Sequence, residues 1–271
     1  MRSDRYMILT RRASLARTHR LLAATALAFL SPFAVVACAG NGPSDIASAK
    51  HRIESCAGTP PNSYIGIDGT GSGRDDRLDS PRIRALEGEL VRVAACGTTA
   101  KVTVFSSSSG STVTLFEGSI QLVGATDQAK ARRLGKAVQK VVDQITGSFD
   151  DAVATLDKGG SDVVAQLRLA SEWSGQLKDG APLRALLITD GFQNKSVTTK
   201  EIAADPQTAA ARFEVPDLSN ASVVIAGVGQ VGGAAPPTKV VDAVKSFYLL
   251  LCERTGATSC RVVSEIAGST S

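Results

Sequence analysis

Residues 63–72 read SYIGIDGTGS: six residues of buried-strand character that end in an acid, followed by a glycine-rich turn. Residues 183–191, LRALLITDG, repeat that arrangement. A short continuous apolar run of this kind suits a strand covered on both faces, as in a parallel sheet. From residue 63 onward, β-branched runs alternate with amphipathic stretches. Ser80-Pro81 offers an N-cap and a first-turn proline, and Ile83, Leu86, Leu90 and Val93 share one face before Gly97. Residues 101–105 and 112–116 are strands joined by SSSSGS, a link that permits an antiparallel hairpin and excludes a helical crossover. Leu134, Val138, Val141, Ile145, Phe149, Val153 and Leu156 keep helical spacing, with a break expected near Gly147. A further helix is expected after Gly159-Gly160, with Ser161 as N-cap, burying Val164, Leu167 and Trp173. Helices over 199–213 and 238–253 and strands over 221–228 and 261–263 complete the alternation. The fold class that follows is α/β: a doubly wound, mostly parallel sheet with helices on both faces and one antiparallel edge hairpin.

The 271 residues are 43% hydrophobic and 21% charged, which supplies a large core and excludes both a disordered chain and a disulfide-only miniprotein. Aromatics at 4% leave little for stacking on bases. The formal charge of +4 is concentrated at one end: six of the 30 Lys and Arg and one of the 26 Asp and Glu lie in residues 1–37. The remainder carries 24 positive against 25 negative groups, a net of −1, so nucleic acid is not an expected partner.

Residues 1–37 read as a signal peptide, with Arg2, Arg5, Arg11, Arg12, Arg17 and Arg20 preceding the apolar run of residues 21–37. The run ends in Val35-Val36-Ala37-Cys38, which resembles a bacterial lipobox, so Cys38 is the expected lipidated first residue of an exported, membrane-anchored protein. An uncleaved anchor is the rival, although Pro32 would kink a span already short at seventeen residues. Residues 38–55, including AGNGPSDIASAK without apolar period, read as a tether, and 56–271 as the domain. Cys56, Cys96, Cys252 and Cys260 form an even set in a compartment that permits disulfides, with three connectivities open. Cys56 to Cys96 with Cys252 to Cys260 is the expected pairing, and Cys56 joined to Cys252 or Cys260 is the rival.

In such a sheet, ligands sit beyond the carboxyl ends of the strands where strand order reverses. Asp68 and Asp190 end two of these strands, and both are expected at exposed positions. Asp68, Thr70 and Ser72 alternate with glycines that let the backbone curl three oxygens toward one centre. Ser161 adds a hydroxyl. Only oxygen donors are on offer, which suits a hard divalent ion, Mg²⁺ or Mn²⁺. Singly, each of these residues reads as a cap or a turn residue; together they fall on neighbouring strand ends.

This set resembles the von Willebrand factor type A family. Its metal-ion-dependent adhesion site has the pattern D-x-[ST]-x-S, then a Thr at a helix start, then an Asp in a T-D-G turn. Asp68, Thr70 and Ser72 match the first element, Ser161 stands where the family usually has Thr, and Asp190 matches the last. The resemblance covers residues 63–264; the charged loop GRDDRLDSP and the irregular segment 191–220 depart from it. It implies a binding domain whose metal takes a carboxylate from a protein or other acidic ligand, with no catalysis. An envelope scaffold that does not use the metal is the alternative, and a metal-assisted hydrolase the enzyme alternative. Asp75, Asp76 and Asp162 read as solvated loop residues, with Asp162 able to support the ligands. The glycines do not make a dinucleotide fingerprint, because Arg74 replaces the last of G-x-G-x-x-G. A phosphatase of the haloacid-dehalogenase type would need its nucleophile at Gly66. A serine hydrolase lacks a base, because His51 lies before the first strand, and Ser72 has no G-x-S-x-G elbow.

Overall fold

The computed structural model describes residues 43–70 and 79–266. Cys38 with its leader, Ser72, Asp75 and Asp76 lie outside the described residues. Six strands form one sheet: β1 (Asn62–Asp68), β2 (Thr99–Phe105), β3 (Thr112–Ser119), β4 (Leu183–Ile188), β5 (Ala221–Ala226) and β6 (Ser259–Val263). Their order is β3-β2-β1-β4-β5-β6, and every pairing is parallel except β2 with β3, the expected hairpin. The chain leaves β1 toward β2 and later leaves β4 toward β5 on the other side, so strand order reverses between β1 and β4. Ile67 pairs with Ile188 there, which sets Asp68 beside Thr189 one step further on.

The helices are α1 (Pro43–Glu54), α2 (Ser80–Cys96), α3 (Asp127–Ala154), α4 (Val163–Leu177), α5 (Thr199–Ala204), α6 (Pro206–Ala211) and α7 (Thr238–Arg254). Successive side chains of a strand point to opposite faces, and β1 divides accordingly. Ile65 and Ile67 join the core under α2 and α3 with Leu86, Leu90, Val138 and Ile145. Tyr64 enters the other core with Leu167 of α4 and Phe247 of α7. Every residue of β1 is buried, as a central parallel strand requires. Among the described residues no helix is long and apolar enough to cross a membrane.

Four local features differ from the sequence reading. Asp79, and not Ser80, caps α2, its carboxylate accepting from the Arg82 N–H at 3.1 Å. Helix α3 runs unbroken for 28 residues through Gly147, because the buried stripe Val138, Val141, Ile145, Phe149 continues across it. That packing outweighs the roughly 1 kcal/mol a mid-helix glycine costs. The helix expected over 199–213 is two helices, since Pro206 has no N–H to continue the first and Asp205 caps the second through the N–H groups of Gln207 and Thr208. Residues 43–54, read as tether, form α1. Ile46, Ala49 and Ile53 are half-buried on one side, Asp45 lies in the first turn and Arg52 in the last, and the helix packs on α2 and α3. Just beyond α1, Cys56 joins Cys96 with Cα atoms 5.2 Å apart; Cys252 joins Cys260 at 6.1 Å. This is the expected pairing.

Candidate metal centre

The centre is built on the carboxylate of Asp68, which is only 2% exposed at the end of β1. A carboxylate that deep needs donors, and four converge on it. Oδ1 accepts from the Thr70 N–H at 3.0 Å and the Thr70 hydroxyl at 2.6 Å. Oδ2 accepts from Ser161 Oγ at 3.0 Å and from Thr189 Oγ1 at 2.7 Å. Thr70 Oγ1 and Ser161 Oγ lie 2.9 Å from each other, so the three side chains form one triangle of oxygens. Asp68, Thr70 and Ser161 are thus brought together.

Asp190 continues from Thr189 at the end of the neighbouring strand. It is 3% exposed, and its Oδ1 accepts from the Phe192 N–H at 2.9 Å. Both acids are therefore buried, against the expectation of exposed positions: the hydroxyls of Thr70, Ser161 and Thr189 close around Asp68, and the chain turns back over Asp190 at Phe192. The turn at Asp190 is fixed on three sides. The Gly191 N–H donates to Thr189 Oγ1 at 3.0 Å, the Gly229 N–H donates to the Asp190 carbonyl, and the Tyr248 hydroxyl of α7 donates to the Gly191 carbonyl at 2.9 Å. Burial, followed by the negative charges of Asp190, Asp68 and Asp162, pushes the Tyr248 hydroxyl well above the usual tyrosine pKa, so it remains a donor.

Ser161 does not cap α4 as expected. Asp162 does, accepting from the Ala165 N–H at 3.0 Å, and this frees the serine hydroxyl for Asp68. The loop hangs from β2 through the Asp162 N–H, which donates to the Ser106 carbonyl at 2.8 Å. Asn194 accepts from the Ser161 N–H at 3.1 Å. Gly160 makes that contact possible: its φ is +112°, and a Cβ there would sit 1.7 Å from Asn194 Oδ1.

Thr189, Asn194 and Tyr248 were not picked out from the sequence as parts of the centre, whereas Asp162, read there as a loop residue able to support the ligands, does so by capping α4 beside Ser161. Thr189 carried a signal in the T-D-G turn, where strand register alone puts it beside Asp68. Asn194 and Tyr248 come from distant elements and gave none.

The donor set fits a hard divalent cation: two carboxylates and several neutral hydroxyls, all oxygen. Among the described residues no three His, Cys, Asp or Glu side chains form a metal-holding group, so the hydroxyls are indispensable to such a site. Beside the centre opens a cavity of about 810 Å³. Thr70, Ser161 and Asn194 line it together with the charged Asp150, Asp157 and Lys158, while Val153, Leu156 and Phe192 make an apolar wall.

No family model and no curated protein matches the chain. Among solved structures it is similar to an aerotolerance-related membrane protein from Bacteroides fragilis, with 13% identity, 78% of this chain and 94% of that chain covered, and a TM-score of 0.39. It is similar to a von Willebrand factor type A protein from Catenulispora acidiphila, with 16% identity, 78% and 41% covered, and a TM-score of 0.35. For the manganese-loaded TRAP protein of Plasmodium vivax the values are 12%, 69% and 63%, and 0.32. The strand order, the one antiparallel strand at the edge and the two acids at the point where strand order reverses give the doubly wound, mostly parallel α/β fold that the sequence implies.

Proposed function

We propose that this is an exported, lipid-anchored binding domain that captures a carboxylate-bearing ligand, such as an acidic residue of a partner protein, through a divalent cation. The observation that carries the proposal is the convergence of Thr70, Ser161 and Thr189 on the Asp68 carboxylate, beside Asp190. Asp68, Thr70, Ser161 and Asp190, with Ser72 four residues after Asp68 in the sequence, would hold Mg²⁺ or Mn²⁺. A cation there supplies a Lewis-acidic position for the ligand's carboxylate, its charge only partly offset because hydroxyls carry none. The chain's own residues do the positioning. Thr189 keeps Asp68 oriented, Asn194 and Asp162 hold the Ser161 loop, and Tyr248 braces the Asp190 turn from α7. Val153, Leu156 and Phe192 offer an apolar surface to whatever flanks the carboxylate. Export and the anchor rest on the lipobox-like end of the leader at Cys38.

One observation favours the metal-free scaffold as a second reading: four donors already satisfy the Asp68 carboxylate. Two measurements separate the readings. Calorimetric titration with Mg²⁺ and Mn²⁺ is expected to give saturable binding, and a partner recovered from membrane extract is expected to be lost on adding EDTA. A partner retained in EDTA would favour the scaffold.

A further inference from the structure

Helix α3 carries an unusual distribution of charge. Lys130, Arg132, Arg133, Lys136 and Lys140 crowd its first half, whereas Asp143, Asp150 and Asp151 follow in the second. Asp127, the acid of the first turn, is paired to Lys130 at 3.7 Å. Arg133 is turned to the Val123 carbonyl. Among the described residues Arg132, Lys136 and Lys140 form no ion pair, and all three are exposed. Arg132 and Lys136, then Lys136 and Lys140, are like charges four residues apart, an arrangement that destabilises a helix. These cations therefore do not serve the helix; a counter-charge outside the chain would relieve them.

The same face has an apolar component. A shallow groove of about 630 Å³ on this face is lined by Arg133, Lys136 and Lys140 against one acid, Asp143, together with Ala137 and Val123, the latter 73% exposed. Helix α1 packs on α3, with Ile46, Ala49 and Arg52 facing Ala131, Leu134 and Gly135 across a common groove. Pro43 begins α1 five residues after Cys38. Five residues reach at most about 18 Å. A lipid on Cys38 thus keeps the basic half of α3 within reach of the bilayer surface, where polybasic segments are drawn to anionic headgroups. The far end of the same helix, Asp150 to Ala154, lines the cavity at the metal centre. From Arg132 to Asp150 is about 27 Å along the axis, so docking the basic end leaves the centre open.

We propose that the first half of α3, with Val123, is a docking face for the anionic phospholipid surface to which the chain is anchored. The proposal rests on the lipid-anchor reading of Cys38, and the test keeps the two apart. The full chain, purified from membranes, is reconstituted into vesicles of phosphatidylcholine alone or mixed with phosphatidylglycerol. Flotation on neutral vesicles reads the anchor. Acylation of Lys136 and Lys140 by an amine-reactive reagent, located by peptide mass spectrometry against Lys178 at the end of α4, reads the docking. On anionic vesicles the two lysines are expected to be protected, Lys178 unchanged, and molar salt to abolish the difference. Arg132→Gln and Arg133→Gln should each weaken protection about five-fold. Equal acylation on both vesicle types, with the protein floating on both, overturns the proposal. Should the protein fail to float on neutral vesicles, the anchor reading falls. Flotation on anionic vesicles that is lost in Arg132→Gln/Arg133→Gln would still support docking, and no flotation on either would overturn it too. Protection by soluble polyglutamate without protection by anionic vesicles would overturn it in favour of an acidic polypeptide.

Discussion

Asp68 receives four hydrogen bonds in a nearly closed space, so its replacement tests charge and geometry together. In Asp68→Asn the volume is kept, but the new amide N–H₂ faces hydroxyls that had been donating. Loss of the calorimetric Mg²⁺ signal is expected, together with destabilisation of about 1–3 kcal/mol measured by urea unfolding. Unchanged cation affinity in Asp68→Asn would falsify the centre. At this scale the sequence was informative where chemistry and position coincide: an acid closing an apolar run has few reasons to be there other than a turn or a ligand. It was less informative about which neighbour does which job. Ser161 and Asp162 are adjacent and both able to cap a helix, and only the structure shows that Asp162 caps while Ser161 turns to Asp68. Thr189 needed the pairing of β1 with β4, a non-local fact.

Periodicity along α3 located its buried stripe correctly and misjudged its continuity, because a glycine's local cost is visible in sequence and the packing that overrides it is not. Gly147 is exposed, and a Cβ there would meet nothing within 4 Å. Gly147→Ala is therefore expected to stabilise the protein by about 0.5–1 kcal/mol, seen as a raised midpoint in calorimetric melting. A lowered midpoint would mean that the helix uses flexibility at that point. Helix α5 makes a pH-dependent case. The Thr198 N–H and hydroxyl, then Arg212, hold the Glu201 carboxyl at about 2 against an ordinary 4.5. A carboxyl lowered on folding adds stability that is complete above the ordinary value and is lost as pH falls through the folded one, here between about 4.5 and 2. NMR titration should find the Glu201 midpoint near the lower figure, rising toward the ordinary one in Thr198→Val. A wild-type midpoint at the ordinary value would remove the capping box from the account. The box itself, Thr198 with Glu201, is a local pattern, and Pro206, which divides the segment, is an equally local one.

The two disulfides act on different parts of the domain. Cys56 to Cys96 closes 40 residues and holds the base of α1 to the end of α2, whereas Cys252 to Cys260 closes 8 between α7 and β6. Loop-closure entropy assigns them about 4 and about 2.5 kcal/mol respectively. Cys56→Ser/Cys96→Ser is thus expected to lower the urea midpoint more than Cys252→Ser/Cys260→Ser, and to speed hydrogen exchange across α1. The reverse order would show that strain or residual structure outweighs loop length. The doubly wound sheet and its hairpin were legible at this scale because alternation and loop length are sequence properties; α1 was not, since its short stripe gains a partner only once α2 and α3 are assembled. The chain has a single tryptophan, Trp173, 3% exposed, its indole N–H donating to Glu117 at 2.9 Å and its ring 6.1 Å from that of Tyr64. Emission excited at the red edge of the absorption band therefore comes from one seam, between α4 and β3. Since α4 begins at Asp162, beside Ser161, about three turns of rigid helix connect that chromophore to the centre, making it a label-free optical gauge of whatever the Ser161 loop does when a cation is added.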